Sequence, residues 1–392
     1  MSLRGETGLH VLTLTPFYPL REDERGGFVS EPLGEMKELG VRCSVVVVRP
    51  WYKARARVSE GTPIATLVRY PTWPGNMGLA SAGRMLYWRL RILVQRLHRA
   101  SPIHLMHAHA ALPCGEAARR LGRELGVAVV VTVHGLDAYL TEQVRGVAGQ
   151  QCAIGCRRVY QDARRVICIS EEVRRRVLAG SSSLRSTEVV YNGVDATVFT
   201  PTQHSVNRDP VVASVGSLIP IKGHDVTLRA MAELSGDFPK LRVRIVGEGV
   251  EHRRLQALAR ELGIADRVDF LGRRTRQEVA ELLQSSAIFV LPSRFEGLGV
   301  AYLEAMASGL PTIAYRGQGI QEVIRHGENG ILVAEQAAEA APRAWAAVLR
   351  TLLRSEEKRR AIGLAARRTV TEGYTLRHQA QALLRLYEEC RA

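Results

Sequence analysis

Short unbroken apolar runs recur along this chain, most of them followed by a stretch with helical spacing, and that alternation restricts the folds open to it. In the first half the runs are Val11 to Thr15, Cys43 to Val48, Leu105 to His109, Val127 to Val133, Val166 to Ile169 and Glu188 to Tyr191. Helical stretches such as Glu31 to Leu39, Gly115 to Leu125 and Glu171 to Ala179 lie between them. The second half repeats the rhythm with Val211 to Gly216, Leu241 to Val246, Val268 to Leu271, Ile288 to Leu291, Thr312 to Tyr315 and Gly330 to Val333. A strand that is apolar on both faces belongs in a parallel sheet covered by helices on both sides. The fold class expected is therefore α/β, with two doubly wound, Rossmann-like domains. A length of 392 residues suits two or three domains, and 46% hydrophobic content can fill their cores.

The break between the halves falls around Asn192 to Pro210, where turn formers and polar residues replace the periodicity. This predicts a first domain over residues 1–195, a linker over 196–209, a second domain over 210–373, and a terminal segment, 374–392, carrying a helix from Leu376 to Cys390. Sheets of this kind bind ligands at the carboxyl ends of their strands, so two halves facing each other are expected to form one cleft.

The densest chemical signal follows the Ile-Phe-Val-Leu-Pro run: Phe295-Glu-Gly-Leu-Gly-Val-Ala-Tyr-Leu-Glu-Ala-Met-Ala-Ser-Gly-Leu-Pro311. Glu296 and Glu304, eight residues apart, straddle a glycine loop. Gly297 and Gly299 let main-chain amides approach a ligand, and a helix from about Val300 turns its positive end toward the same place. An anion fits there.

Strand, loop, helix and turn together resemble the donor-binding signature of retaining glycosyltransferases of the GT-B fold, in particular the large family 4, which uses nucleotide sugars. Members that make bacterial surface polysaccharide of the teichuronic-acid type are similar. The resemblance implies that Glu296 lies by the transferred sugar and that Glu304 binds the ribose hydroxyls, with Gly297, Leu298, Gly299 and Val300 lining the donor. Val215-Gly-Ser-Leu-Ile-Pro-Ile-Lys-Gly223 is similar to the family's G-R-L-x-x-x-K-G loop, which places Ser217 and Lys222 at the diphosphate. Ser217 stands where many members carry Arg, and a hydroxyl there donates one hydrogen bond in place of a charge. Gly249, closing Val246-Gly-Glu-Gly249, and Arg273, closing Leu271-Gly-Arg273, sit at further strand ends, the latter matching the nucleobase contact; read by themselves, both are ordinary turn chemistry. Gly317-Gln-Gly-Ile-Gln-Glu322 resembles the segment beside the donor sugar and is expected to open a helix.

The first half holds the matching acceptor-side elements. Gly26 and Gly27, after Arg25, look like the family's glycine loop, and equally suit a plain flexible connection. Thr132-Val-His134-Gly-Leu-Asp137 is similar to the family's H-G-x-D element. An imidazole at that strand end can hydrogen-bond a sugar hydroxyl or help carry developing charge. His107 and His109 share one face of a strand, where either packing or a site role suits them.

The chain contains no Asp-x-Asp and no His or carboxylate cluster with metal-ligand spacing, so no cofactor or metal is expected, the nucleotide-diphosphate sugar being a co-substrate. Lys222, the amides at Gly299 and Val300 and the helix end would meet the leaving charge, while Glu296 steadies an oxocarbenium-like sugar. The resemblance implies retention of anomeric configuration by a same-face displacement, with Glu296, His134 and Lys222 as the catalytic set.

Charge is concentrated. Between Leu39 and Gly115 eleven cations face a single acid, Glu60, which accounts for most of the formal +15. Within it Gly78 to Arg99 reads as an amphipathic helix, with Leu79, Ala82, Leu86, Leu90, Leu93 and Leu97 on one face, Arg84, Arg91 and Arg99 opposite, and Trp88 beside them. Such a helix suits an anionic membrane surface and equally suits packing on the first sheet with a solvated outer side. No nucleic-acid reader motif accompanies the charge. No run approaches the roughly 18 apolar residues of a membrane helix, and Val11 to Leu14 is too short for a secretory core. Six cysteines without a zinc or disulfide pattern fit a cytosolic protein, at most peripheral to the inner face of the plasma membrane. Three functions follow from these residues: a transferase acting on a glycan or lipid-linked acceptor, a nucleotide-sugar epimerase on the same scaffold, and a catalytically silent binding protein.

Overall fold

Each strand of the chain pairs in parallel with its neighbours, the arrangement that short apolar runs joined by helical crossovers reach. The computed structural model describes residues 8–20, 26–53, 65–74, 78–140, 143–181, 184, 186–202, 210–334, 336–337 and 339–391. Arg25, Arg55, Arg57, Glu60 and the linker residues 203–209 lie outside them. Two compact units are present, one running to Asn192 and taking in Leu376 onward, the other Gly193–Thr375.

The first unit contains β1 (His10–Thr15), β2 (Arg42–Pro50), β3 (Ala65–Tyr70), β4 (Leu105–His109), β5 (Ala128–Val133), β6 (Arg165–Cys168) and β7 (Thr187–Val189). They form one sheet in the order β3-β2-β1-β4-β5-β6-β7. Its helices include α1 (Gly27–Glu38), α2 (Leu79–Ala100), α3 (Glu116–Leu125), α4 (Gly146–Asp162) and α5 (Glu171–Gly180). The edge strand β3 was not anticipated. Only Tyr70 of its six residues is buried, so it lacks the continuous apolar run that marks the inner strands. Helix α1 starts four residues earlier than expected because Gly26, at φ 131°, turns the chain into it. A Cβ at Gly26 would stand 2.9 Å from the Phe17 carbonyl.

The second unit contains β8 (Val211–Val215), β9 (Arg242–Val246), β10 (Val268–Gly272), β11 (Ile288–Val290), β12 (Thr312–Tyr315) and β13 (Ile331–Val333), in the sheet order β10-β9-β8-β11-β12-β13. Around it lie α6 (His224–Leu234), α7 (His252–Glu261), α8 (Arg276–Gln284), α9 (Val300–Ala307), α10 (Ala341–Leu353) and α11 (Glu356–Gly373). Its core includes Trp345, fully buried edge-on to Tyr315. Residues 196–200, at the start of the stretch read as a linker, pack on this unit. The Arg367 guanidinium donates to the carbonyls of Ala196, Phe199 and Ala307, and the Phe199 ring is buried.

The last helix, α12 (Leu376–Arg391), belongs to the first unit. Ala380, Leu383, Leu386, Tyr387 and Cys390 join Leu9, Val11, Met36 and Leu105 in one core. On α2 the inward face is Ala82, Gly83, Leu86, Leu90 and Val94. Arg91, read from the sequence as part of the outer basic face, instead turns toward α3, where its Nε donates to Glu124 at 2.9 Å; Arg89 and Arg96 take exposed places. All six cysteines are free thiols, and burial pushes Cys43 and Cys168 up to about 12, which leaves them unreactive. Among the described residues no helix is long and apolar enough to cross a membrane.

Leu386 is 1% exposed. Leu386→Ala is expected to lower the unfolding free energy of the first unit by about 3 kcal/mol. Urea unfolding followed by far-UV dichroism measures it, and a loss below about 1 kcal/mol would show that α12 is not part of that core.

Candidate active site

In each sheet the strand order reverses once, between β1 and β4 in the first and between β8 and β11 in the second. Neighbouring strands there send their crossovers to opposite faces, so the loops at their carboxyl ends part and leave room for a ligand. Most of the nominated residues lie on loops at or next to these two places, while Arg273 follows the edge strand β10.

In the second unit the loop after β8 carries Gly216 to Gly223, and the loop after β11 carries Leu291 to Gly299. Ile221 joins them: its carbonyl accepts from Arg294 N at 2.8 Å and from Ser293 Oγ at 3.3 Å. That brings Lys222 Nζ to 2.5 Å from Glu296 Oε2, both groups part-buried. Glu296 is held on its other side as well. Its N–H donates to Gln318 Oε1 at 3.0 Å, and its carbonyl accepts from Gly319 N at 3.0 Å. Gln318 is a residue that the sequence reading did not nominate, although it lies inside the quoted Gly317 to Glu322 segment. That segment forms a short 3-10 turn, Gly319–Glu322, rather than opening a helix.

Gly299 caps α9 at φ 86°, and a Cβ there would stand 2.7 Å from Glu296 Cγ. The loop therefore closes this tightly before α9 only with glycine in place. Gly297 and Leu298 are buried, and Leu298 offers a ligand its main chain alone. Glu304 lies on the second turn of α9, half-buried. Ser217 is part-exposed, and its carbonyl accepts from His224 Nε2 at 3.2 Å while His224 Nδ1 lies 3.3 Å from Ser214 Oγ. Burial pulls His224 down to about 4, so a neutral ring shapes this loop. A histidine at the start of α6 carried no such signal in the sequence. Glu248, next to Gly249, accepts from Leu218 N at 3.0 Å, which ties the loop after β9 to the phosphate-loop candidate. Arg273 reaches Glu248 at 3.1 Å on the exposed rim.

In the first unit β1, β4 and β5 end together. His109 Nδ1 lies 3.0 Å from His134 Nε2, and the rings stack at 5.3 Å. Phe17, after β1, and Phe28, next to Gly27, set their rings against His134 at 5.4 and 4.9 Å. Gly26, Gly27, His109, His134 and Asp137 are thus brought into one place. The His134 N–H donates to Asp137 Oδ1 at 2.8 Å. His107 is different: its ring nitrogens meet Tyr387 OH and Thr132 Oγ1, each at 2.6 Å, so it anchors α12 and supports His109 from behind. Tyr387 is 280 residues away in sequence, which hid the pairing.

Desolvation controls the protonation here. Burial pulls His107 and His134 down to about 3 and His109 well below the ordinary range, while it pushes Asp137 up to about 6. At neutral pH the three rings are uncharged, which leaves His134 hydrogen bonding and not cationic charge. His134 Nδ1 and Asp137 Oδ2 are shut off from solvent and have no hydrogen-bond partner among the described residues. Also among those residues, no group of three or more His, Cys, Asp or Glu is gathered as metal ligands.

Two parallel doubly wound units, each with its polar loops at a switch point, define the GT-B class. Sucrose-phosphate synthase from Thermosynechococcus elongatus shares the fold at a TM-score of 0.80 with 21% identity, over 97% of this chain and 98% of that one. The chain belongs to the group 1 glycosyltransferases: residues 199–369 match Glycosyl transferases group 1, and residues 30–198 match Glycosyltransferase Family 4. The D-inositol 3-phosphate glycosyltransferase of Nocardia farcinica is 33% identical over 60% of this chain and 54% of its own length, so the chain spans about half of that relative. A GDP-mannose-dependent alpha-(1-6)-phosphatidylinositol monomannoside mannosyltransferase of Mycolicibacterium smegmatis is 27% identical over 96% of this chain and 97% of that protein.

Six histidines among the described residues are held below their ordinary value chiefly by burial, His107, His109 and His134 here and His10, His104 and His224 elsewhere, and they predict a pH effect on stability. In the unfolded chain they protonate near an ordinary value of about 6.5, so below it the unfolded state binds more protons and stability falls on acidification. Asp137, raised, opposes this between about pH 4 and pH 6, one group against six histidines. Melting by calorimetry is expected to drop from about pH 7 to about pH 5, with a shallower slope in His134→Phe; a flat profile would show that these rings titrate normally.

Proposed function

We propose that the chain is a retaining, metal-independent glycosyltransferase that moves a hexosyl-type sugar from a nucleotide-diphosphate sugar to a glycan or lipid-linked acceptor, in polysaccharide or glycolipid synthesis. The observation that carries the proposal is the Lys222–Glu296 pair at the second unit's switch point, directly before the N-terminus of α9. The full-length relative named for GDP-mannose and a phosphatidylinositol mannoside supports a donor and an acceptor of these chemical classes.

In this reading the diphosphate enters between Lys222 and the amides of Gly299 and Val300, and Glu304 takes the ribose hydroxyls. Lys222 then shares its charge between Glu296 and phosphate. Glu296, released in part from its ammonium partner and fixed by Gln318 and Gly319, faces the sugar and steadies positive charge as the anomeric bond to phosphate lengthens. The departing phosphate oxygen takes the acceptor hydroxyl's proton on the same face of the ring, and the acceptor oxygen forms the new bond there, so the anomeric configuration is kept. In the first unit His134 and Asp137 shape the acceptor-side loop, the His134 main-chain N–H donating to Asp137 Oδ1 at 2.8 Å. Arg294, exposed in the same loop as Glu296 and bonded through its main-chain N–H to Ile221 of the Ser217 loop, is the cation we assign in place of the one missing at Ser217.

Nucleotide selectivity is tested by thermal shift with UDP, GDP and ADP in the absence of metal. One nucleotide is expected to raise the melting temperature of wild type and to lose that effect in Glu304→Ala; no response from a folded protein would sink the proposal.

With the donor found, Lys222→Ala is expected to lower kcat about 100-fold, as loss of one transition-state donor does. Activity should persist in excess chelator, and NMR of the first-formed product should show the donor's anomeric configuration. An inverted product, or donor isomerised without acceptor, would replace this reading.

A further inference from the structure

The outward side of α2 departs from what a solvated helix presents. Met85, Trp88 and Ile92 point out along one stripe, with Trp88 60% and Ile92 62% exposed, although the helix already buries Leu86, Leu90 and Val94 on the other side. Arg84, Arg89, Arg96 and Arg99 are exposed in the same stripe, and it contains no acid. Arg84, Arg96 and Arg99 have no partner among the described residues, and Arg89 touches only the Arg69 carbonyl. The patch continues past the helix. Trp51 follows β2 directly, and its indole N–H donates to Thr72 O at 2.9 Å. Trp73, 72% exposed, packs by its backbone against Gly78 at the start of α2. Five of the nine large hydrophobic side chains exposed among the described residues therefore lie between Trp51 and Ile92.

We propose that this surface docks the first unit on an anionic lipid bilayer. Trp51, Trp73, Met85, Trp88 and Ile92 enter the boundary between headgroups and acyl chains, and the four arginines meet lipid phosphates. A second copy of the chain fits less well, because its own unpaired arginines would face these. Nucleic acid leaves the aliphatic Met85 and Ile92 without a role. Since the sheet is parallel, Trp51 and Trp73 follow strands at the same end as Phe17, His109 and His134, so docking brings the acceptor-side loops to the lipid side. That last step deepens the proposed transferase reading and rests on it; the docking surface does not.

Three of the chain's four tryptophans lie on the patch, and the fourth, Trp345, is buried in the other unit, so fluorescence reports on the surface. The full chain is mixed with phosphatidylcholine vesicles, with or without about one third phosphatidylglycerol, carrying brominated acyl chains. Binding is expected only with the anionic lipid, with quenched emission and a weaker partition at high salt. Arg84→Glu with Arg89→Glu should lower the partition roughly 30-fold or more, and Trp88→Ser about tenfold. Unchanged partition in both variants, no quenching, binding to heparin but not to vesicles, or a dimer by light scattering that Trp88→Ser disperses would each overturn the proposal. Nucleotide-induced thermal shift is measured on the same samples. Vesicle binding without any nucleotide response would discard the transferase reading and leave the surface standing.

Discussion

A parallel strand buried on both faces has nothing to offer a ligand except its ends, and the placement of both candidate sites in this protein follows from that constraint. Inner strands such as β4 and β5 are closed in by neighbours on both sides and are buried along almost their whole length. Their side chains become available only where the chain leaves the sheet. Because all strands of a sheet run the same way, these exits fall at one end, and the reversal in strand order selects which loops part. Lys222 and Glu296, 74 residues apart, meet because β8 and β11 are adjacent at that reversal.

The candidate sites of the two units use different electrostatics. The second unit keeps a charged pair part-exposed at the mouth of its loops, backed by the N-terminal end of α9, and so suits a ligand with several negative charges. The first unit packs three imidazoles and a carboxyl so deeply that desolvation overrides their ordinary ionisation. Such a place presents hydrogen-bonding imidazoles without charge. Its rigidity comes from behind, where Tyr387 of the terminal helix fixes His107 and the His107 ring stacks on His109 at 4.3 Å. Helix α12 thus supports His109 from behind through His107.

Ion pairing elsewhere sorts the cations by use. Arg91 is spent on Glu124 together with Tyr87 and Gln95, which locks α2 to α3. Its neighbours on the outer stripe are left without acids. The difference between a structural arginine and an available one lies in which side of the helix it leaves from, a matter of a single residue step.

Local physics made much of this legible. Continuous apolar runs mark buried strands because burial on both faces excludes polar residues, and twelve of the thirteen strands among the described residues are legible in this way. The Glu296 to Glu304 loop was equally plain, since a glycine that must turn at positive φ beside a carboxylate leaves few alternatives. What eluded the sequence were features decided by partners far along the chain. Edge strand β3 takes its pairing from β2 and not from its own pattern, Gln318 becomes a clamp only when β12 lies beside β11, and His107 and His109, alike by spacing, part company only once Tyr387 claims one of them. Amino-acid order by itself determined the elements, the class of fold and the residue types at the strand ends, because those depend on neighbours within a few positions. Tertiary structure alone decided which of those residues touch, which are neutral and which face outward, because contact and desolvation depend on chains brought together from distant positions.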